Sequence, residues 1–282
     1  MAENNKKSSS WLVGVGVVLI AAPFIVTGGK NFFKTSAVAE EQELISSVIV
    51  EKELEYIPSS AGLQTPAPSE EEPEEKIVLP AVNIDLSNAP KDAKEFYIFA
   101  DVVNGEAVVD KNLSNFAMQG NDNSFYLKHN AKGSYDECGS YMKDYRTGSD
   151  DAEEVVYIHH MSRAKKDEYK KFKLMVERQG SDFTSIDNLP MLYVYSRNGV
   201  VKSYAPCLVY QCNTKEVSED INPWTVGKSE QEIETLLAEK AAAQGQTFEH
   251  QEEGNEYITF STCDKYSTPG INRRIYTYIR VQ

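Results

Sequence analysis

A chain of 282 residues, 26% charged and 41% hydrophobic, has an ordinary globular composition, too long for one common-sized domain and too short for two large ones. Its net charge of −14 argues against a nucleic-acid partner, because phosphate binding needs a concentrated basic surface. The sequence contains no glycine-rich phosphate loop and no internal repeat.

From the N-terminus, Lys6 and Lys7 precede an apolar run from Trp11 to Thr27, near the lower length limit for a helix crossing a bilayer. This predicts a cytoplasmic tail over 1–10 and a transmembrane anchor over 11–28. The lysines keep the N-terminus inside and place the remaining chain outside the cell membrane. A cleaved signal peptide competes, since Ala37-Val38-Ala39 resembles a cleavage site, but the apolar run is long for a signal core and ends well before that site. Residues 29–76 read as an extracytoplasmic stalk. Leu44, Ile45, Val48 and Ile49 suit a short helix within 40–56. Pro58 to Lys76, with the run Glu70-Glu71-Glu72-Pro73-Glu74-Glu75, is too polar to bury a core. The folded unit is expected over 77–282.

Strands dominate that unit. Phe96–Val103 and Glu106–Val109 flank Asn104-Gly105, and Met191–Tyr195 and Val200–Tyr204 flank Asn198-Gly199, two strong hairpin signals. Val155–His159, Tyr257–Thr262 and Arg274–Val281 are further strands. Lys166–Arg178 aligns Tyr169, Phe172 and Val176 on one helical face. Ser229–Ala243 aligns Ile233, Leu236, Leu237 and Ala241, opens with the capping box Ser229-x-x-Glu232 and ends before Gly245. Short strands with inserted helices read as a β-barrel with helical excursions.

Of the four cysteines, Cys207 and Cys212 are five apart on one strand and are expected on opposite faces, while Cys138 has no evident partner. These three read as small buried hydrophobes. No Cys/His spacing suits zinc, and neither a metal nor a cofactor is expected.

Cys263 is different. In Tyr257 to Cys263, alternation puts Ile258, Phe260 and Thr262 on a core face and Thr259, Ser261 and Cys263 on the other. In the last strand, Arg274, Tyr276, Tyr278 and Arg280 share one face and Ile275, Thr277 and Ile279 the other. With the isoleucines in the core, Arg274 would share the side of Cys263, and Arg273 would face the other way or lie in the preceding loop. A guanidinium there favours a thiolate and stabilises an oxyanion. His159, at the end of Val155-Val156-Tyr157-Ile158, would exchange a proton with a leaving amine. Taken alone, a surface arginine and a surface histidine are the plainer readings, and His160 competes with His159.

Together these residues resemble the sortase family. Ile258-Thr259-Phe260-Ser261-Thr262-Cys263 resembles the signature TLxTC, with Phe260 in place of Leu, so Cys263 matches the nucleophile. Val156-Tyr157-Ile158-His159-His160-Met161 is similar to the class B pattern IYGHNM, with Ile158 for Gly and His160 for Asn, and aligns His159 with the catalytic histidine. Arg274-Ile275-Tyr276-Thr277-Tyr278 resembles the strand bearing the essential arginine. Gly120 to Asn130 and Gly139 to Arg146 continue the class B likeness, which spans roughly Leu79 to Val281.

The resemblance implies an eight-stranded sortase-type β-barrel with inserted helices, after the N-terminal transmembrane helix and stalk. It implies a cysteine transpeptidase in which Cys263 cleaves a C-terminal sorting signal after Thr, forming a thioacyl-enzyme that a cell-wall peptidoglycan amine resolves. Arg274 would bind substrate backbone and the oxyanion, His159 would act as general acid and then base, and Ser261 and Thr262 would contact substrate. Implied partners are surface proteins bearing sorting signals and a peptidoglycan precursor. A pilin-linking enzyme with a lysine acceptor, a general cysteine hydrolase and a catalytically inactive binding module are the alternatives.

Overall fold

The fold, taken from a computed structural model, is described for residues 32–51, 77–148, 150–159, 173–179, 184–213, 226–248, 255–263 and 273–281. The expected tail and anchor, the Pro/Glu-rich segment, His160 and the first turns of the helix expected from Lys166 lie outside the described residues. Among those described, no helix is long and apolar enough to cross a membrane.

The described residues begin with helix α1 (Phe32–Val48) and strand β1 (Ile49–Glu51), which pairs with β2 (Val82–Ile84). Leu44 and Val48 of the buried stripe of α1 pack on the barrel, so the folded unit extends back beyond Ile77 into the segment expected as stalk. Next come β3 (Ala93–Val103), β4 (Glu106–Val109), β5 (Asn115–Met118), a 3-10 turn (Phe125–Leu127), β6 (Tyr141–Lys143) and β7 (Glu153–Ile158). Helix α2 (Lys173–Arg178), β8 (Met191–Ser196), β9 (Val201–Cys212), α3 (Glu230–Ala243), β10 (Tyr257–Cys263) and β11 (Arg273–Arg280) complete it.

The nine-stranded sheet runs β4-β3-β5-β6-β7-β10-β11-β9-β8, and β3 also pairs with β8. That pairing closes eight strands into a barrel and leaves β4 as a hairpin extension. Asn104 and Gly105 both adopt positive φ, 53° and 81°, which matches the right-handed twist of the strands they join. The second expected hairpin turns differently: of its pair, only Gly199 has positive φ, and Asn198 Oδ1 accepts from the Val200 amide.

Both barrel faces are apolar. Inside, Phe260 meets Tyr97 and Tyr278 edge-on, with ring centroids 5.8 and 5.7 Å apart. Outside, Leu44 and Val48 of α1 join one apolar cluster with Phe96, Ile98, Phe116 and Tyr157, while α3 lays Ile233, Leu237 and Ala241 over Leu208, Tyr210, Ile275 and Ile279. The expected α3 capping box is present, with both reciprocal bonds between Ser229 and Glu232. Tyr276 and Tyr278 therefore do not form an exposed face. They line the barrel interior, where the Tyr276 hydroxyl donates to Gln179 Oε1 at 2.8 Å. A partnered hydroxyl removes the cost of burying it.

A β-bulge in β9 opposite Thr277/Tyr278 overturns the expected opposition of Cys207 and Cys212. The extra residue resets the alternation, and both cysteines join the apolar layer under α3. All four cysteines are free.

Candidate active site

Three neighbouring strands build the site. Strand β10 runs parallel to β7, with Thr262 opposite Ile158, and antiparallel to β11, with Cys263 opposite Arg273. One step beyond the β7 pairing, His159 follows Ile158 as Cys263 follows Thr262. Directly opposed residues share a face, so His159, Cys263 and Arg273 form one row across the sheet. Their face also carries Ser261 and Thr259, away from the barrel interior, as expected for Cys263.

Arg273 Nη1 donates to Cys263 Sγ at 3.1 Å. A guanidinium only donates, so it supports negative charge at the sulfur and on an oxygen bound beside it. Arg274 is the correction. It is opposite Thr262, shares the interior face with Phe260, is 5% exposed and donates to Gln179 Oε1 at 3.0 Å. The wrong premise was that the isoleucine face was the only apolar one. Because the barrel interior is apolar as well, alternation alone did not decide which arginine meets the sulfur.

Thr262, expected on the core face by alternation and in contact with substrate by resemblance, keeps only the first of these. It is fully buried and turned inward, and its hydroxyl donates to the Ile158 carbonyl at 2.9 Å. That bond ties β10 to β7 at the rung just before Cys263 and His159. Ser261 lies on the Cys263 face, buried, and its hydroxyl has no hydrogen-bond partner among the described residues.

His159 is half-buried beside the 125–140 loop. Burial, together with the charges of Arg273 and Lys128, holds its imidazole below the ordinary value. A hydrogen bond to the Leu127 carbonyl and the Asp136 carboxylate act in the opposite direction. The net effect favours neutral imidazole, which has a ring nitrogen able to accept a proton.

The loop beside His159 was legible only as part of the class B likeness, with no link to the histidine. Gly139 has φ +60°, and a Cβ there would collide with the carbonyl oxygens of Tyr126 and Leu127. Only glycine permits this approach, which seats the Leu127 carbonyl near His159. A glycine beside a cysteine was visible in the sequence, but nothing local tied it to a histidine twenty residues away.

The sequence matches no protein-family model and no curated protein. Among solved structures, the fold is similar to Clostridium perfringens sortase B, at 21% identity over 68% of this chain and 96% of that one, with a TM-score of 0.50. It is also similar to Staphylococcus aureus sortase B, at 16% identity over 70% of this chain and 85% of that one, with a TM-score of 0.51. The chain has a class B sortase-like fold.

Proposed function

We propose that this chain is a class B-like sortase, a cysteine transpeptidase that cleaves a sorting signal after Thr and passes the acyl group to a peptidoglycan amine. The Arg273–Cys263 contact of 3.1 Å, with His159 on the adjoining strand, is the observation that carries the reading. It fits a nucleophile, a cationic oxyanion partner and a proton carrier in one row.

In the proposed reaction, neutral His159 takes the thiol proton as Cys263 sulfur bonds to the scissile carbonyl carbon. The carbonyl pair moves onto oxygen, beside the Arg273 guanidinium. As the oxyanion collapses, the C–N bond breaks and His159 returns the proton to the leaving amine, leaving a thioester. An incoming amine attacks the thioester and gives its proton to His159; the C–S bond breaks, and His159 passes that proton to the departing Cys263 sulfur. Ser261 is retained as a substrate contact. Membrane anchoring through 11–28, with the barrel outside the cell, completes the proposal.

The test is Cys263→Ala, assayed with a sorting-signal peptide and an amine acceptor. Loss of both cleavage and transfer is expected, and unchanged turnover would refute the assignment. Product formed with water in preference to added amine would instead identify a hydrolase.

A further inference from the structure

The apolar stripe of α1 is interrupted by a carboxylate. Ala37, Glu41, Leu44 and Val48 follow helical spacing and are all buried, with Glu41 only 3% exposed. A carboxylate in such a position is costly unless its hydrogen bonds are made. Glu41 Oε1 accepts from Ser140 Oγ at 3.1 Å. Alongside, Asn130 Nδ2 donates to the Ala37 carbonyl at 2.8 Å, and Ser134 Oγ donates to Glu40 Oε2 at 2.9 Å. Helix α1 thus contacts the 125–140 loop at three separate points.

The other side of that loop meets His159. Ser140, held by Glu41, donates its amide to the Tyr126 carbonyl at 2.8 Å. The antiparallel β6–β7 register sets Met142 opposite Tyr157, and carried two residues further it brings Ser140 beside His159. The Leu127 carbonyl, Lys128 and Asp136 of the same loop all act on the protonation of that imidazole, and the last two are joined by an amide–carbonyl bond of 2.9 Å. From β11, Arg273 faces it too. Every loop group acting on His159 is therefore within a few residues of an α1 contact.

We propose that Glu41 is a positioning residue for His159, acting through Ser140 to hold the 125–140 loop against the imidazole. Helix α1 precedes the barrel in sequence, so the segment N-terminal to the domain helps to set the proton carrier. The consequence for turnover rests on the transpeptidase reading. The consequence for His159 itself does not.

The experiment uses the full chain with Glu41→Ala, Glu41→Gln and Glu40→Ala. The His159 titration is followed by NMR and assigned with His159→Gln. Burial is the leading cause of the depressed value, so loosening the loop beside the ring should raise the midpoint toward that of a free imidazole. Glu41→Ala is expected to raise it and to lower kcat about tenfold with KM little changed, as for a displaced proton-transfer group. Glu41→Gln keeps an oxygen facing Ser140 and should restore both readouts. If Glu41→Ala does not fold, Glu40→Ala releases the more exposed Ser134 contact and should move the midpoint the same way by less. A His159 midpoint unmoved in every folded variant would overturn the proposal, even if thermal stability fell. If the wild-type chain failed to transfer peptide, the function would be lost, yet a shifted titration would still establish the coupling.

Discussion

Arg273 and Arg274 are adjacent in sequence but point to opposite sides of β11: one touches the Cys263 sulfur, while the other is buried against Gln179 in the barrel. Their replacements should fail in different ways. Arg273→Ala should reduce sorting-signal cleavage by about 10²–10³-fold with little change in melting temperature, the usual effect of losing an oxyanion donor. Arg274→Ala should cost about 1–3 kcal/mol of stability, because it removes a buried partner of Gln179. Steady-state kinetics and denaturant unfolding of both variants would separate the roles, and the reverse pattern would restore Arg274 to the site.

Thiol reactivity should be confined to Cys263. Cys138 and Cys212 are buried, and burial first, then the Glu153 charge, pushes the Cys207 thiol far up, so it stays protonated at neutral pH. Brief treatment with a thiol-reactive sulfone at neutral pH followed by peptide mapping should find label on Cys263 alone. Label on Cys207 at a comparable rate would contradict the described packing under α3.

Gly139→Ala should impair function more than Gly105→Ala. A Cβ at Gly105 meets nothing within 4 Å, whereas at Gly139 it strikes two backbone carbonyls, one of them the partner of His159. Both positions have positive φ, so the shared backbone strain of about 1–3 kcal/mol cancels in the comparison. The additional loss of kcat in Gly139→Ala measures the displaced loop, and equal effects would show that the collision is absorbed elsewhere.

Within the barrel, Lys143 Nζ lies 2.8 Å from Glu95 and 2.9 Å from Glu154. Lys143→Met should cost about 3–5 kcal/mol, because it strands buried carboxylates. Burial pushes Glu154 up to about 7 from its ordinary 4.5, against the pull of Lys143. The folded form then holds this proton more tightly than the unfolded chain. Its stabilisation is complete below about pH 4.5 and is lost as pH rises through about 7. Glu154→Gln should flatten that part of the stability profile in denaturant titrations, and an unchanged slope would move the ionisation to another group.

Much of the fold could be read locally. The Asn104-Gly105 hairpin, the capped α3 helix and the β10 strand ending at Cys263 depend on neighbours a few residues apart, where turn chemistry and periodicity act directly. The strand-end positions of Cys263 and His159 were also legible, because residues closing apolar runs stand out. The arginine was not: Phe260, Tyr276 and Tyr278 pack inside the barrel, while Ile275 and Ile279 pack beneath α3. A strand apolar on both faces carries no alternation signal.

From its sequence alone, this protein has a strand-rich domain, a cysteine at a strand end and a histidine at another. Those features follow from short-range preferences that each segment carries with it. Which arginine meets the sulfur, that Tyr276 and Tyr278 line the barrel interior, and that Glu41 reaches the loop around His159 were decided by strand register and by helices laid over the barrel. These relationships join residues distant in the chain, and only closure of the sheet sets which of them stand opposite one another.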